Sequence, residues 1–283
     1  MKWENAVRKG YLAFPAIKAT AAATLAISLA VPLLARAEPA EVARAKPPEV
    51  ACDLPFNMLR LAHPLSRLAQ RLATSEPITI VAIGSSSTAG AGASTASATY
   101  PSRLAVELER HFPNRQITVI NRGVNGEEVN DMVKRFDSAV VDAKPDLVLW
   151  QFGTNSIVRD QNLNSGDTAI QDGLKKIRAI GADVVIIDPQ FAPKVIANSH
   201  AAATVELMAT TAKYENVDLF RRYDVMKRWS EVDHIPFKTF VSQDGLHMND
   251  WSYACMAKGL GMAIAEAAQR PVMAATMMSH GVR

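Results

Sequence analysis

Only two cysteines occur in 283 residues, Cys52 and Cys255, and they are far apart; no histidine or carboxylate cluster has the spacing of metal ligands. A zinc-type site is therefore not expected, and neither is a disulfide-framed miniature fold. There is no glycine-rich phosphate loop, which argues against nucleotide chemistry. A membrane span is also missing: the apolar run 19–34 is shorter than the roughly 20 residues a span needs, and it contains Pro32.

The excess of positive charge is confined to one end. Lys2, Arg8, Lys9 and Lys18 precede the apolar run, and Ala35-Arg36-Ala37 follows it. A basic region, a short hydrophobic region and a small-x-small site are the layout of a secretory signal peptide over residues 1–37. Cys52 lies well beyond Ala37, so a lipid-modified N-terminus is not expected. Removal of 1–37 turns a whole-chain charge of +3 into about −1, with 26 basic against 27 acidic residues left in 246. Such a balance gives no reason to expect nucleic acid or an anionic membrane surface as partner. The expected location is the periplasm or the exterior, with no stable membrane insertion once the leader is gone. In an oxidising compartment Cys52 and Cys255 can form a bridge, the alternative being two separate thiols.

Residues 38–51 are rich in proline and charge and read as a flexible tether, and 52–74 as a helical arm with leucines at helical spacing. Beyond them short apolar segments alternate with longer amphipathic ones. Strands are expected at 78–83, 117–121, 147–152, 184–188 and 217–220. Helices are expected at 100–112, 127–141, 168–180, 199–214 and 250–269. Nearly all-apolar strands in strict turn with helices imply a mainly parallel, five-stranded sheet covered on both faces: an α/β fold, a three-layer α/β/α sandwich with its ligand site at the carboxyl ends of the strands. The small-residue segment 89–99 has little to bury and reads as a mobile loop beside that site.

Unusual polar chemistry follows the first three strands: Gly84-Ser85-Ser86-Ser87-Thr88, then Asn121-Arg122-Gly123-Val124-Asn125-Gly126-Glu127, then Gly153-Thr154-Asn155-Ser156. A fourth segment, Asp244-Gly245-Leu246-His247, stands just ahead of the last helix. In the expected fold all four converge on one rim. Acyl transfer needs this set: a hydroxyl nucleophile, an imidazole to take its proton, a carboxylate to orient the imidazole, and donors for the oxyanion.

These four segments, in this order, resemble the blocks of the SGNH hydrolases, the GDSL family of esterases and lipases, over a region from about Ile78 to the final helix. The resemblance implies that 52–283 is an SGNH hydrolase domain of flavodoxin-like topology. It implies Ser86 as nucleophile, His247 as general base and Asp244 as its partner. It places the oxyanion between the backbone amides of Ser86 and Gly126 and the side chain of Asn155. Gly123, the rival to Gly126, reads as a turn residue. Two positions depart from the family pattern, Ser85 and Ser156 each standing where aspartate is usual. Ser85 and Ser87 read as satisfying backbone amides of the turn or capping the next helix. The implied reaction is hydrolysis of a small-molecule or glycan acyl ester, short-chain or O-acetyl in type, without a cofactor. The alternatives are an O-acyltransferase acting on an extracytoplasmic polysaccharide, a lysophospholipase or thioesterase, and a non-catalytic glycan-binding module. His234 reads as a loop residue; His63, His111, His200 and His280 read as surface residues without acid partners. Trp229 and Trp251 are open to two readings, sugar platform or burial against the last helix.

Overall fold

The computed structural model describes residues 51–161, 163 and 167–270. The expected leader at 1–37 and, except for Ala51, the tether at 38–51 lie outside the described residues, as does His280. Five apolar segments form the strands β1 (Ile78–Gly84), β2 (Ile117–Gly123), β3 (Leu147–Gln151), β4 (Asp183–Ile187) and β5 (Asp218–Phe220). All four pairings are parallel, in the order β2-β1-β3-β4-β5. The fold is the three-layer sandwich expected. Alternation along each strand sends side chains to two cores. Ile78, Ile80, Ala82, Leu147, Leu149, Val185 and Ile187 face the layer containing helices Tyr100–His111 and Asp250–Gln269. Val81, Ile83, Val148, Trp150 and Ile186 face the layer containing helix Asp167–Ala179. Each buried Val, Leu or Ile contributes roughly 1.5–3 kcal/mol, so strands buried on both faces must be apolar throughout.

The strand order has a functional consequence. The chain leaves β1 to one side for β2 and returns to the other side for β3, so a crevice opens at the carboxyl ends of β1 and β3.

Several elements differ from the sequence reading. β2 runs on to Gly123, which pairs with Gly84. Gly123 is thus a strand residue and not a turn residue: a Cβ there would come within 2.1 Å of the Ala89 amide nitrogen, so only glycine lets the turn carrying Ser86 lie against β2. The helix expected at 127–141 is broken into Val129–Lys134, Phe136–Ala139 and a 3₁₀ turn, because Arg135 leaves helical geometry to hold Glu127 and the Arg122 carbonyl. A helix at Arg222–Glu231, concealed by its buried Arg222, was not expected. The arm is one helical turn, Phe56–Leu59, and a helix, Ser66–Leu72, rather than continuous helix. The segment 89–99 also has more to bond to than its composition suggests: Tyr253 donates to the Ala91 carbonyl at 2.7 Å, Ser94 donates N–H and hydroxyl to Asp250, and Ala98 and Thr99 are buried.

Carboxylates at the amino edge of the sheet dock the arm. Asp183 accepts from the backbone amides of Arg67 and Leu68, Asp218 from that of His63, and Asp146 from Arg67 Nε and Thr79 N. Burial pushes Asp183 and Asp218 upward, opposed by these bonds. His63 therefore has an acid partner, contrary to the sequence reading: its Nδ1 lies 3.4 Å from Asp218. His200 likewise has Asp160 at 3.9 Å.

The two cysteines form a disulfide, Cys52–Cys255, across a sequence separation of 203. It ties the start of the arm to the last helix. Closing so long a loop restricts the unfolded chain by up to about 5 kcal/mol in the chain-entropy account, with 2–5 kcal/mol the usual cost of losing a native bridge. The double substitution Cys52→Ser, Cys255→Ser is expected to lower unfolding stability by about 2–5 kcal/mol in urea. An unchanged midpoint and slope would show that the bridge constrains nothing the arm does not already hold.

Candidate active site

β1 ends at Gly84, and the chain turns at once into a single helical turn, Ser86–Ala89, whose first residue is Ser86. Thr88 N and Ala89 N both donate to the Ser85 carbonyl and Gly90 N to that of Ser86, which fixes the turn. Ser86 remains partly exposed while Ser85, Ser87 and Thr88 are buried.

Opposite it, the segment ahead of the last helix folds back on itself. Ser242 N donates to the His247 carbonyl, Val241 bridges Met248 in antiparallel fashion, and Gly245 takes the left-handed conformation at φ 70°. Within this loop Asp244 Oδ1 accepts from Leu246 N and His247 N, both at 2.9 Å, and from Ser242 Oγ at 2.7 Å. Asp244 Oδ2 lies 2.5 Å from His247 Nδ1, and His247 Nε2 lies 2.8 Å from Ser86 Oγ. Partial burial raises the Asp244 carboxyl, but the bonds from His247, Leu246 and Ser242 outweigh it and hold the group well below the usual carboxylate range. An ionised Asp244 keeps the imidazole proton on Nδ1, which leaves Nε2 as acceptor for the Ser86 hydroxyl. Asn249 then caps the last helix, reciprocally with Ser252, so the His247 backbone is anchored two residues from a well-formed helix end.

The structure places the other two expected site residues in bonded neighbouring segments. Gly126 turns in the left-handed region at φ 80°, a conformation for which glycine is suited. Asn155, in the turn Thr154–Val158 that follows β3, donates through Nδ2 to the Glu127 carbonyl at 2.8 Å. An amide nitrogen carries two hydrogens, so one remains for an incoming anion. Arg159 Nη2 donates to the Gly126 carbonyl at 2.8 Å while its Nη1 meets Glu128 at 2.6 Å. Ser156 donates to the same Glu128 at 3.3 Å, which gives the serine at this departure from the family pattern a defined partner.

The second departure, Ser85, is explained by a residue that sequence reasoning missed. Gln151, the last residue of β3, is fully buried, and its Oε1 accepts from Ser85 N at 3.0 Å, Ser85 Oγ at 3.1 Å and Thr88 Oγ1 at 3.2 Å. The backbone N–H can only donate, which fixes the carbonyl end of Gln151 towards the turn. Ser85 and Ser87 do not cap the helical turn: Ser85 bonds Gln151, and Ser87 Oγ donates to Gln190 Oε1 at 3.3 Å. Thr88 Oγ1 also meets Tyr100 Oη at 3.2 Å, and burial pushes that phenol up to about 12, so it stays protonated. The one advance signal was a glutamine ending an otherwise apolar strand, Leu147–Gln151. His234 is exposed, outside this constellation, and Trp229 is core, packed edge-on to Trp251 at 5.0 Å between ring centroids.

Residues 51–270 match the family described as the Non-GDSL lipase-like family. The chain belongs to that family. Its description suits a first block that reads Gly84-Ser85-Ser86-Ser87 and so lacks the aspartate of a GDSL block. A comparison with curated proteins finds no significant match. Among solved structures, the family fold seen here is similar to a two-domain esterase active on acetylated mannans, at TM-score 0.63 and 18% identity over 79% of this chain. This chain spans 59% of that esterase's length. It is also similar to LAE5, an alpha/beta hydrolase enzyme from the metagenome of Lake Arreo, Spain, at TM-score 0.58 and 18% identity, covering 69% of this chain and 99% of that one. A catalytic mutant of an acetylxylan esterase from Geobacillus stearothermophilus gives TM-score 0.57 at 14% identity, covering 68% and 96%. At these identities the likeness is one of fold. Among the described residues no helix is long and apolar enough to cross a membrane, and no group of three or more His, Cys, Asp or Glu could hold a metal.

Proposed function

We propose that this chain is an exported serine esterase that removes short acyl groups, of the O-acetyl type, from a glycan or cell-envelope molecule. The observation that carries the reading is the continuous relay from Ser86 Oγ through His247 to Asp244, at 2.8 and 2.5 Å, beside the crevice between β1 and β3. His247 Nε2 takes the Ser86 proton as Oγ attacks the ester carbonyl carbon. The resulting oxyanion is held by the amides of Ser86 and Gly126 and by Asn155 Nδ2. Collapse breaks the bond to the alkoxy group, which leaves as alcohol with the proton from His247, and the acyl group stays on Ser86. Water, deprotonated by His247, then attacks the acyl-enzyme and releases the carboxylic acid and the free Ser86 hydroxyl.

Two observations support the substrate class and the compartment. The fold neighbours include esterases named for acetylated mannan and for acetylxylan. The Cys52–Cys255 bridge suits an oxidising compartment, in keeping with a leader at 1–37. A panel of acyl esters differing in chain length and in sugar content tests the reading: turnover is expected to be highest on acetylated oligosaccharides and short-chain esters, with free acid as product. A preference for long-chain acyl esters would overturn the substrate class, and transfer of the acyl group to a sugar hydroxyl without acid release would overturn hydrolysis.

A further inference from the structure

Gln190 lies just beyond β4, carries none of the reacting groups, and has a fully buried side chain. Its Oε1 accepts from Thr154 Oγ1 at 2.9 Å and from Ser87 Oγ at 3.3 Å, and its Nε2 donates to the Leu246 carbonyl at 3.1 Å. That carbonyl can only accept, so the orientation of the amide is determined. Each of the three partners is the immediate chain neighbour of a residue in the proposed mechanism: Ser87 of Ser86, Thr154 of Asn155, Leu246 of His247. The segments concerned come from β1, β3 and the loop ahead of the last helix, and they are otherwise remote in sequence.

We propose that Gln190 is a positioning residue that sets the nucleophile, oxyanion and base segments in register through one buried amide. The inference rests on the esterase reading above. One side chain of fixed length that bonds three segments converts three independent loop positions into one. A shift of about 1 Å between nucleophile and base can lower turnover about 100-fold, since the reacting atoms must stand within roughly 3–3.5 Å of each other. The amide carries its acceptor and its donor on separate atoms, Oε1 towards Ser87 and Thr154 and Nε2 towards Leu246, whereas a hydroxyl has both functions on one oxygen. Leucine has nearly the volume of glutamine but neither capacity.

The test compares wild type with Gln190→Leu and Thr154→Val, each titrated with a fluorophosphonate so that rates are expressed per reactive serine. Gln190→Leu is expected to lower kcat per titrated site about 10- to 100-fold with KM within about 2-fold. Thr154→Val removes one of the three bonds at nearly constant volume and is expected to lower kcat about 3- to 10-fold. Their combination should be no slower than Gln190→Leu alone, since both act through the same amide. A merely structural role would instead reduce the fraction of titratable sites and leave kcat per site unchanged, which overturns the proposal. If Gln190→Leu does not fold, Thr154→Val alone decides: a wild-type kcat per site contradicts the proposal. A wild type that neither labels nor hydrolyses any ester overturns the esterase reading itself, and this inference with it.

Discussion

Replacement of Ser86 by alanine is expected to abolish turnover of every acyl ester the wild type accepts, by about 10⁴-fold or more, while the fold is retained. The loss is large because no second hydroxyl can take over. Ser85 and Ser87 flank it, but both are buried and both hydroxyls are committed, to Gln151 and to Gln190. The fold survives because the turn Ser86–Ala89 is held by backbone bonds to the carbonyls of Ser85 and Ser86, which alanine leaves in place. Alanine is also the best helix former. Circular dichroism and urea unfolding check retention of the fold, and initial rates on a short acyl ester check the loss. Activity persisting within tenfold of wild type would exclude Ser86 as nucleophile.

Asn155→Ala is expected to lower kcat by about 100- to 1,000-fold with little change in KM, because the amide meets charge that develops only as the carbonyl becomes tetrahedral. Asn155 Nδ2 already donates to the Glu127 carbonyl, so the substitution also frees the segment that carries Gly126. Arg159 holds that segment independently through the Gly126 carbonyl, and for this reason the effect should fall on kcat and not on folding. Near-normal turnover of a short acyl ester by the alanine variant would remove Asn155 from the oxyanion site.

Much of this architecture was legible in the chain because its signals are local. The five strands are short apolar runs, the last helix is one of the longer amphipathic segments that follow them, and Asp244 lies three residues before His247. The order of the four polar segments then placed them on the rim where the structure brings Ser86, Asp244 and His247 into hydrogen-bond contact. What escaped the sequence was held by long-range bonds. The segment 89–99 reads as mobile from its small residues, yet Tyr253 and Asp250, more than 150 positions away, bond to it. Arg135 interrupts a helical pattern for the sake of Glu127. Gln151 shows locally only as a polar end to an apolar strand and Gln190 not at all, since the roles of both depend on which strand ends lie side by side. Together these two residues explain how a turn with Ser85 in place of aspartate is braced: the carbonyl oxygen of Gln151 gathers the turn's own donors, and that of Gln190 takes the hydroxyl of the next serine.

The most direct measurement of the central claim is intact-protein and peptide mass analysis after reaction with a fluorophosphonate. The relay from Asp244 through His247 to Ser86 predicts a single adduct, on Ser86 itself, that forms in wild type and is missing from Ser86→Ala. An unlabelled wild type, or an adduct on Ser85, Ser87 or any other residue, would contradict it.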